Sequence, residues 1–501
     1  MPARRVNRRR FDPRRRALLR GLAAAGGTVL LPGCGGSSAS PGASGGGPPP
    51  TRVLIVGAGM AGLACANALR GAGVECVILE ARDRIGGRLW TRDLDGIPVD
   101  FGGSWIHDPD GNPMSDFADQ CGVGRTLVDP TRNLLSIHAW DEVQQRALLA
   151  PEVVSAFAAY EGFEETAQVW LNRLGPKASV KDGIQAYLAV AGAALPAQQR
   201  ARAEHVTRYI HETFDAADWG DISLEYLVNS PIDEYGGSEF GDFPAGGYTT
   251  LVQAMAGNSE IRLQHRVTRI AHSEAGVTLD VDTPDGAAQF RGSHVVVTLP
   301  LGVLKAGDVR FDPPLPDDKL GAIQRIGFGH FEKLALKFDT PFWEDGALPR
   351  THFYFRSADA DFPMEFPFFL DLNQALDFPV LVALTSGAFA QHFAAQDPAA
   401  LQARALAILR ESYGAAVTEP AAVLTSGWAQ DPLARGSYSY LAVNSTPDDM
   451  DALAAPVGAR LLFAGEASFK TRFGYADGAL SSGLREAQRL VGAQLSVAPN
   501  R

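Results

Sequence analysis

Along this chain the apolar positions change period several times. Residues 53–56 (VLIV) are a continuous apolar run that leads into Gly57, Gly59 and Gly62 and then into MAGLACANALRGAG, which has helical spacing and closes on Gly71 and Gly73. VECVILE follows as a second buried strand ending at Glu80. This strand–turn–helix–strand order predicts the opening of an α/β domain whose strands are covered on both faces. Further on, IRLQHRVTRIAHSEAGVTLDVDT alternates with period two around a turn at Glu274–Gly276 and predicts paired strands. LAPEVVSAFAAYEGFEETAQVWLNRL, PAALQARALAILRESYG and GALSSGLREAQRLVGAQL read as helices, KLALKF and PVLVALTS as strands. No internal repeat is visible.

At 501 residues the chain exceeds one ordinary core, so two domains are expected. Apolar content of 46% with 20% charged residues places it among soluble globular proteins. Charge is unevenly distributed. Residues 1–50 hold nine Arg and one Asp against a whole-chain charge of −12, so the remainder carries −20. Such a body repels nucleic acid and attracts cations, or simply stays soluble. The leader reads as a targeting segment over residues 1–34: a twin arginine (Arg15, Arg16) precedes an apolar run too short to span a membrane. LPGC (Leu31–Cys34) resembles a bacterial lipobox. Twin-arginine export to a periplasmic or cell-surface location follows, with a lipid on Cys34 as the one membrane attachment. Residues 35–50 read as a disordered Gly/Ser/Pro linker. Cys65, Cys76 and Cys121 lack metal-type spacing, which predicts neither a disulfide framework nor a metal site.

Gly57, Gly59 and Gly62 form G-x-G-x-x-G in the strand–turn–helix context that dinucleotide binding requires. Gly57 permits the turn, Gly59 lets backbone approach a pyrophosphate, and Gly62 lets helix and strand pack closely. The helix N-terminus, with Met60 and Ala61, offers amides and a positive dipole. Glu80 suits ribose hydroxyls and disfavours a 2′-phosphate.

EARDRIGGR (Glu80–Arg88) then adds Ala81, Arg82, Gly86, Gly87 and a pyrophosphate-neutralising Arg88. Here the chain resembles the flavin-containing amine oxidases: monoamine and polyamine oxidases, L-amino-acid oxidases and the histone-lysine demethylase. The resemblance runs from about Arg52 to Leu495. It returns in DFGGSWIH (Asp100–His107), FPAGGYTTLVQAMA (Phe243–Ala256), VVVTLPLGVLK (Val295–Lys305), GFGHFEKLALKF (Gly327–Phe338), WAQDPLARGSYSY (Trp428–Tyr440), LLFAGEA (Leu461–Ala467) and GYADGALSSGLREA (Gly474–Ala487). It implies a Rossmann-type FAD-binding domain assembled from discontinuous segments near 51–135, 240–310 and 455–497. An α+β substrate domain inserted between them takes 136–239 and 311–454.

By the same resemblance FAD is held by the glycine turn and Glu80–Arg88, by Gly103, Ser104 and Trp105, and by Val267 at the adenine. Trp428, Gly465, Glu466, Asp477 and Ala479 complete the set. Lys333 matches the lysine that holds a water at flavin N5, although it shares a strand face with Lys337 that is alternatively solvated. Tyr475 and Tyr438 are aromatic walls for an amine, or ordinary packed tyrosines. His107 is placed to take a proton from an incoming ammonium, or is structural. Two positions depart from the family. Ser437 stands where monoamine oxidases carry the cysteine that bonds FAD, so FAD is expected to be non-covalent. Asp477 stands where a histidine is common.

The expected activity is FAD-dependent oxidation of an amine, polyamine-like by preference, with O2 giving H2O2 and an imine that hydrolyses to an aldehyde. The alternatives are an L-amino-acid oxidase, for which Arg132 or Arg356 would bind the carboxylate, and a non-catalytic surface-anchored flavoprotein.

Overall fold

The computed structural model describes residues 51–129, 137–233, 235–238, 240–344, 351–355, 365–393 and 395–499. The leader, the linker, Cys34, Arg132 and Arg356 lie outside the described residues.

The run Val53–Val56 is the centre of a five-stranded parallel sheet in the order Leu461–Phe463, His294–Val297, Val53–Val56, Cys76–Leu79, Ile261–Arg262. Because successive strand side chains point to opposite faces, the central strand feeds two cores. Val53 and Ile55 join Leu63, Leu69, Tyr248, Leu251 and Leu480 under helices Met60–Gly71, Tyr248–Ala256 and Ala476–Val491. Leu54 and Val56 join Val267, Ile270, Leu279 and Val281 on the other side. Those residues belong to a smaller sheet, in which Arg266–Ser273 pairs antiparallel with Gly276–Thr283 around the expected turn. The structure adds two strands to it, Gly286–Gly292 beside Gly276–Thr283 and Arg310–Asp312 beside Arg266–Ser273. Strands from widely separated parts of the chain thus build one α/β layer, as the resemblance implied.

The second body rests on a seven-stranded mixed sheet. Phe331–Lys337 lies between Ala422–Thr425 and Val380–Ser386, followed by Phe368–Asp371, Thr351–Phe355, Ile137–Asp141 and Arg146–Ala147. The last two strands fall in a stretch (136–239) read as rich in helical patterns, just ahead of the helix expected from Leu149. Their neighbour is Thr351–Phe355, more than two hundred residues on, which no local period encodes. Helices Ala150–Leu174, Val180–Val190 and Ala197–Asp215 then cover the sheet and each other. Pro398–Tyr413, capped by Asp397, covers the opposite side.

Three close approaches hold the α/β layer together. Gly57 has φ +105°, and a Cβ there would meet Thr298 Oγ1 at 2.7 Å. A Cβ on Gly62 would sit 2.0 Å from the Gly57 carbonyl oxygen, and one on Gly483 would sit 2.0 Å from that of Ala61. The first and last helices therefore cross backbone to backbone. Cys65 and Cys76 are buried free thiols; burial raises both well above the usual thiol range, which leaves them inert.

Gly483→Ala should force these helices apart, destabilising the fold by about 1–3 kcal/mol. Differential scanning fluorimetry should show a lower Tm, with reduced flavin retention on gel filtration. An unchanged Tm would mean the crossing tolerates the extra methyl.

Candidate active site

The strand–turn–helix unit opens onto a continuous cavity of about 620 Å3 that runs from the glycine turn into the second body. At one end stand Gly57, Gly59, Met60 and Ala61. The helix Met60–Gly71 has no side-chain N-cap, so its first amides are offered to the cavity. Room for a cofactor is visible at Gly59, where a Cβ would find no atom within 4 Å. Glu80 is buried and fixed: Oε2 accepts from Ala58 N at 2.7 Å and Oε1 from Arg82 N at 2.8 Å. Each oxygen retains a lone pair for hydroxyl donors. Ala81, Arg82 and Val267 also line this end. Gly62 does not; it lies beneath the turn, in the packing role expected of it.

Arg88 bridges the middle of the cavity. Its Nη1 donates to Ser437 O and Glu466 Oε1, both at 2.8 Å. Glu466 also accepts from the Ser439 hydroxyl and from Gly474 N at 3.0 Å. The carboxylate thus serves the protein directly and any ligand through Arg88, which remains partly exposed. The Ser437 hydroxyl accepts from Phe331 N at 2.8 Å and donates to Phe331 O at 3.0 Å, locking two loops together. Gly86, Gly87, Gly103, Gly465 and Ala479 complete this wall. The last of these sits on the helix Ala476–Val491, whose N-terminus is likewise without a side-chain cap. Two uncapped helix starts facing one elongated cavity fit a dinucleotide whose pyrophosphate meets the first helix and whose ring able to accept negative charge meets the second.

Beyond the bridge the wall becomes aromatic. Trp105 donates to Val128 O at 2.8 Å and packs on Phe243 at 4.8 Å; Trp428 donates to Phe101 O at 2.7 Å. The Tyr438 hydroxyl donates to Thr213 O at 2.7 Å, and burial holds its phenol far above the ordinary range, so it stays neutral. Tyr475 meets His107 edge-on at 5.0 Å. Lys333 is buried rather than solvated, unlike Lys337, which pairs with Asp95 near the surface. Its Nζ donates to Gly102 O at 2.7 Å, to Asp100 O at 3.0 Å and to the Ser104 hydroxyl. Burial lowers its pKa to about 8, and the Asp100 carboxylate opposes that shift. All four residues expected to do chemistry (Lys333, Tyr475, His107 and Tyr438) reach this one cavity.

Asp477 is a correction. It is absent from the cavity wall and buried against Arg472, whose Nε and Nη2 donate to it at 2.7 and 3.3 Å. Arg472 is 1% exposed, so it needs counter-charge from Asp477 and from Asp108 at 2.8 Å. Its guanidinium lies 4.2 Å from the centre of the Tyr475 ring. The acid in the histidine's place therefore balances a buried arginine that backs the aromatic wall. Sequence reasoning also missed Phe157, Tyr160 and Glu161 from one long helix, Tyr209 and Asp215 from another, and Phe240, all on the wall. Helical periodicity marks such residues as packed without saying what they face. Among the described residues no group of His, Cys, Asp and Glu could hold a metal.

The family model for flavin-containing amine oxidoreductases matches residues 60–491. Among curated proteins, lysine-specific histone demethylase 1 homolog 2 of Oryza sativa subsp. japonica is 33% identical over 455 residues, covering 89% of this chain and 57% of that protein. Lysine-specific histone demethylase 1 homolog 1 of Arabidopsis thaliana is 33% identical over 453 residues, covering 88% and 52%. The chain thus spans little more than half the length of these relatives. Among solved structures, putrescine oxidase bound to putrescine superimposes with TM-score 0.71 at 22% identity, covering 88% of this chain and 99% of that one. That likeness shows the fold.

Two outcomes are expected of this site. Acid precipitation should release yellow flavin into the supernatant, since the Ser437 hydroxyl cannot form a thioether; flavin retained by the pellet would contradict this. Lys333→Met should leave flavin bound but slow its reoxidation in rapid-mixing experiments. The wild-type ammonium is present below about pH 8 and is lost as pH rises through that value. Reoxidation should therefore slow above about pH 8 in the wild type and be pH-flat in the variant. Identical profiles would remove Lys333 from the chemistry.

Proposed function

We propose that this chain, which belongs to the flavin-containing amine oxidoreductase family, oxidises amines that carry a second positive charge, with O2 as the final oxidant. Family membership makes FAD its cofactor and amine oxidation its reaction class. When bound, FAD supplies the two-electron redox chemistry that no side chain here can provide. The observation that supports a di- or polyamine is the placing of Glu161 and Asp215. Both line the aromatic half of the cavity, whereas Glu80 and Glu466 stand at the dinucleotide half. Glu161 is exposed on the helix Ala150–Leu174, and Asp215 is buried at the end of the helix Ala197–Asp215. A cationic chain entering past Glu161 meets the second carboxylate further in.

The rest of the wall treats the reacting nitrogen differently. Tyr438 and Tyr475 present aromatic rings, which hold an amine whether charged or not. His107 beside Tyr475 is placed to accept the proton that the reacting nitrogen must lose, because its lone pair must be free before the neighbouring C–H can break. Lys333 holds positive charge where oxygen gains electrons. Among the described residues the arginines of this wall, Arg82, Arg88 and Arg266, stand at the dinucleotide half, so none of them is beside the rings to pair with an amino-acid carboxylate.

A second reading is favoured by the 33% identical relatives named as lysine-specific histone demethylases: a methylated lysine side chain is also a cationic amine on a linear stem. The proposal includes export directed by residues 1–34 and a lipid on Cys34, which would place the enzyme where free amines are met. Mass spectrometry of the membrane-extracted protein should then find a modified N-terminal Cys34, and an intact Met1 in a cytosolic fraction would refute export.

Peroxide release should be measured with putrescine, spermidine, phenylethylamine, an N-methyl-lysine peptide and L-amino acids. Glu161→Gln and Asp215→Asn should raise KM for di- and polyamines about ten- to a hundredfold, the worth of a charge-assisted contact, and spare phenylethylamine. Preference for L-amino acids, or equal effects on all amines, would overturn the assignment.

A further inference from the structure

Lys333 also borders a second, smaller cavity of about 200 Å3. The two cavities share Ser104, Lys333 and Leu384, so a single layer of side chains divides them. Lys333 and Leu384 stand directly opposite each other on adjacent antiparallel strands. The remaining wall is largely apolar and buried, with Val99, Phe243, Leu370, Leu372 and Val382. Its outer end is formed by Thr126, Ala245 and Gly246, which are exposed.

The polar atoms at the inner end already have partners. The Asp100 carboxylate accepts from the Thr91 hydroxyl at 2.6 Å and from Tyr248 N at 3.1 Å. The Lys333 ammonium donates to the Asp100 and Gly102 carbonyls and to Ser104. A buried water needs two to four polar partners, whereas apolar cavities stay dry and take up small apolar molecules such as xenon. The space is also below the roughly 300 Å3 at which organic ligand pockets begin. What fits is a small, uncharged, apolar molecule bound for the Lys333 ammonium.

We propose that this cavity is a dioxygen antechamber, feeding the reaction site past Leu384 while the amine occupies the main cavity. The proposal rests on the reading of O2 as oxidant. One O2, with two electrons from the reduced cofactor and two protons, leaves as H2O2; the antechamber supplies only the O2. Separate entry matters because the aromatic cavity has one bulky occupant at a time. Lys333 stands at the junction, where its charge meets O2 as electrons arrive.

Val382 lines only the second cavity, so Val382→Phe should fill that space without touching the amine side. Leu376→Trp narrows the same cavity nearer its half-buried rim. In xenon-pressurised crystals of the holoenzyme, the wild type should show xenon in the cavity and Val382→Phe should not. Enzyme reduced anaerobically with dithionite and then mixed with O2 should reoxidise several-fold more slowly in both variants. Flavin reduction by amine should be unchanged. Reoxidation at the wild-type rate in both variants, or no xenon in the wild type, would overturn the antechamber. A wild type that fails to reoxidise with O2 at all would instead remove O2 as the oxidant. Dithionite makes the test independent of which amine is the substrate.

Discussion

The ion pair between Arg88 and Glu466 joins parts of the chain that lie 378 residues apart. Arg88 follows the turn that leaves the second strand; Glu466 follows the last strand of the same sheet. Through Ser437, Ser439 and Gly474 the pair also fixes the loop that carries Tyr438 and the start of the final helix. Removing one partner of such a largely buried pair typically costs about 3–5 kcal/mol, because the other is left uncompensated. Here it would also release the loop that carries the aromatic wall. Both partners line the cavity.

The chemistry of the cavity divides at the same point. On one side, helix N-termini, glycine backbone and Glu80 create a polar cradle suited to phosphates and ribose. On the other, rings from several elements create an apolar chamber with two carboxylates. Lys333 belongs to the second body by its strand but is held by carbonyls of the first, at Asp100 and Gly102. Burial between the two lowers its pKa to about 8. Burial of the neighbouring Asp100 carboxyl pushes it up to about 6, so acid and base stand close together, each moderating the other.

The Arg472 cluster shows how one departure from a family pattern can be absorbed structurally. An aspartate near the flavin would be a new charge at the reaction site. Bound to Arg472, it becomes half of a buried pair whose cation lies against Tyr475 and whose second acid is Asp108. The charge is spent on holding a ring in place.

Gly57, Gly59, Gly62 and Glu80 were legible in the sequence because they act locally: a turn, a helix start and a strand end lie within one short stretch and bond to one another. Strand and helix types were legible for the same reason, since period two and period 3.6 belong to single segments. The pairing of Ile137–Asp141 with Thr351–Phe355 was not, because many apolar strands satisfy the same alternation and only packing selects the partner. Nor could periodicity show that Asp215 faces the cavity or that Asp477 turns away from it. Such facings depend on which distant surfaces close around a helix. For Lys333 the sequence determined the residue and, through its motif, the expectation of a role in redox chemistry. Tertiary structure alone decided its burial, its three acceptors and its place between two cavities, because the carbonyls that hold it come from a loop more than two hundred residues earlier in the chain.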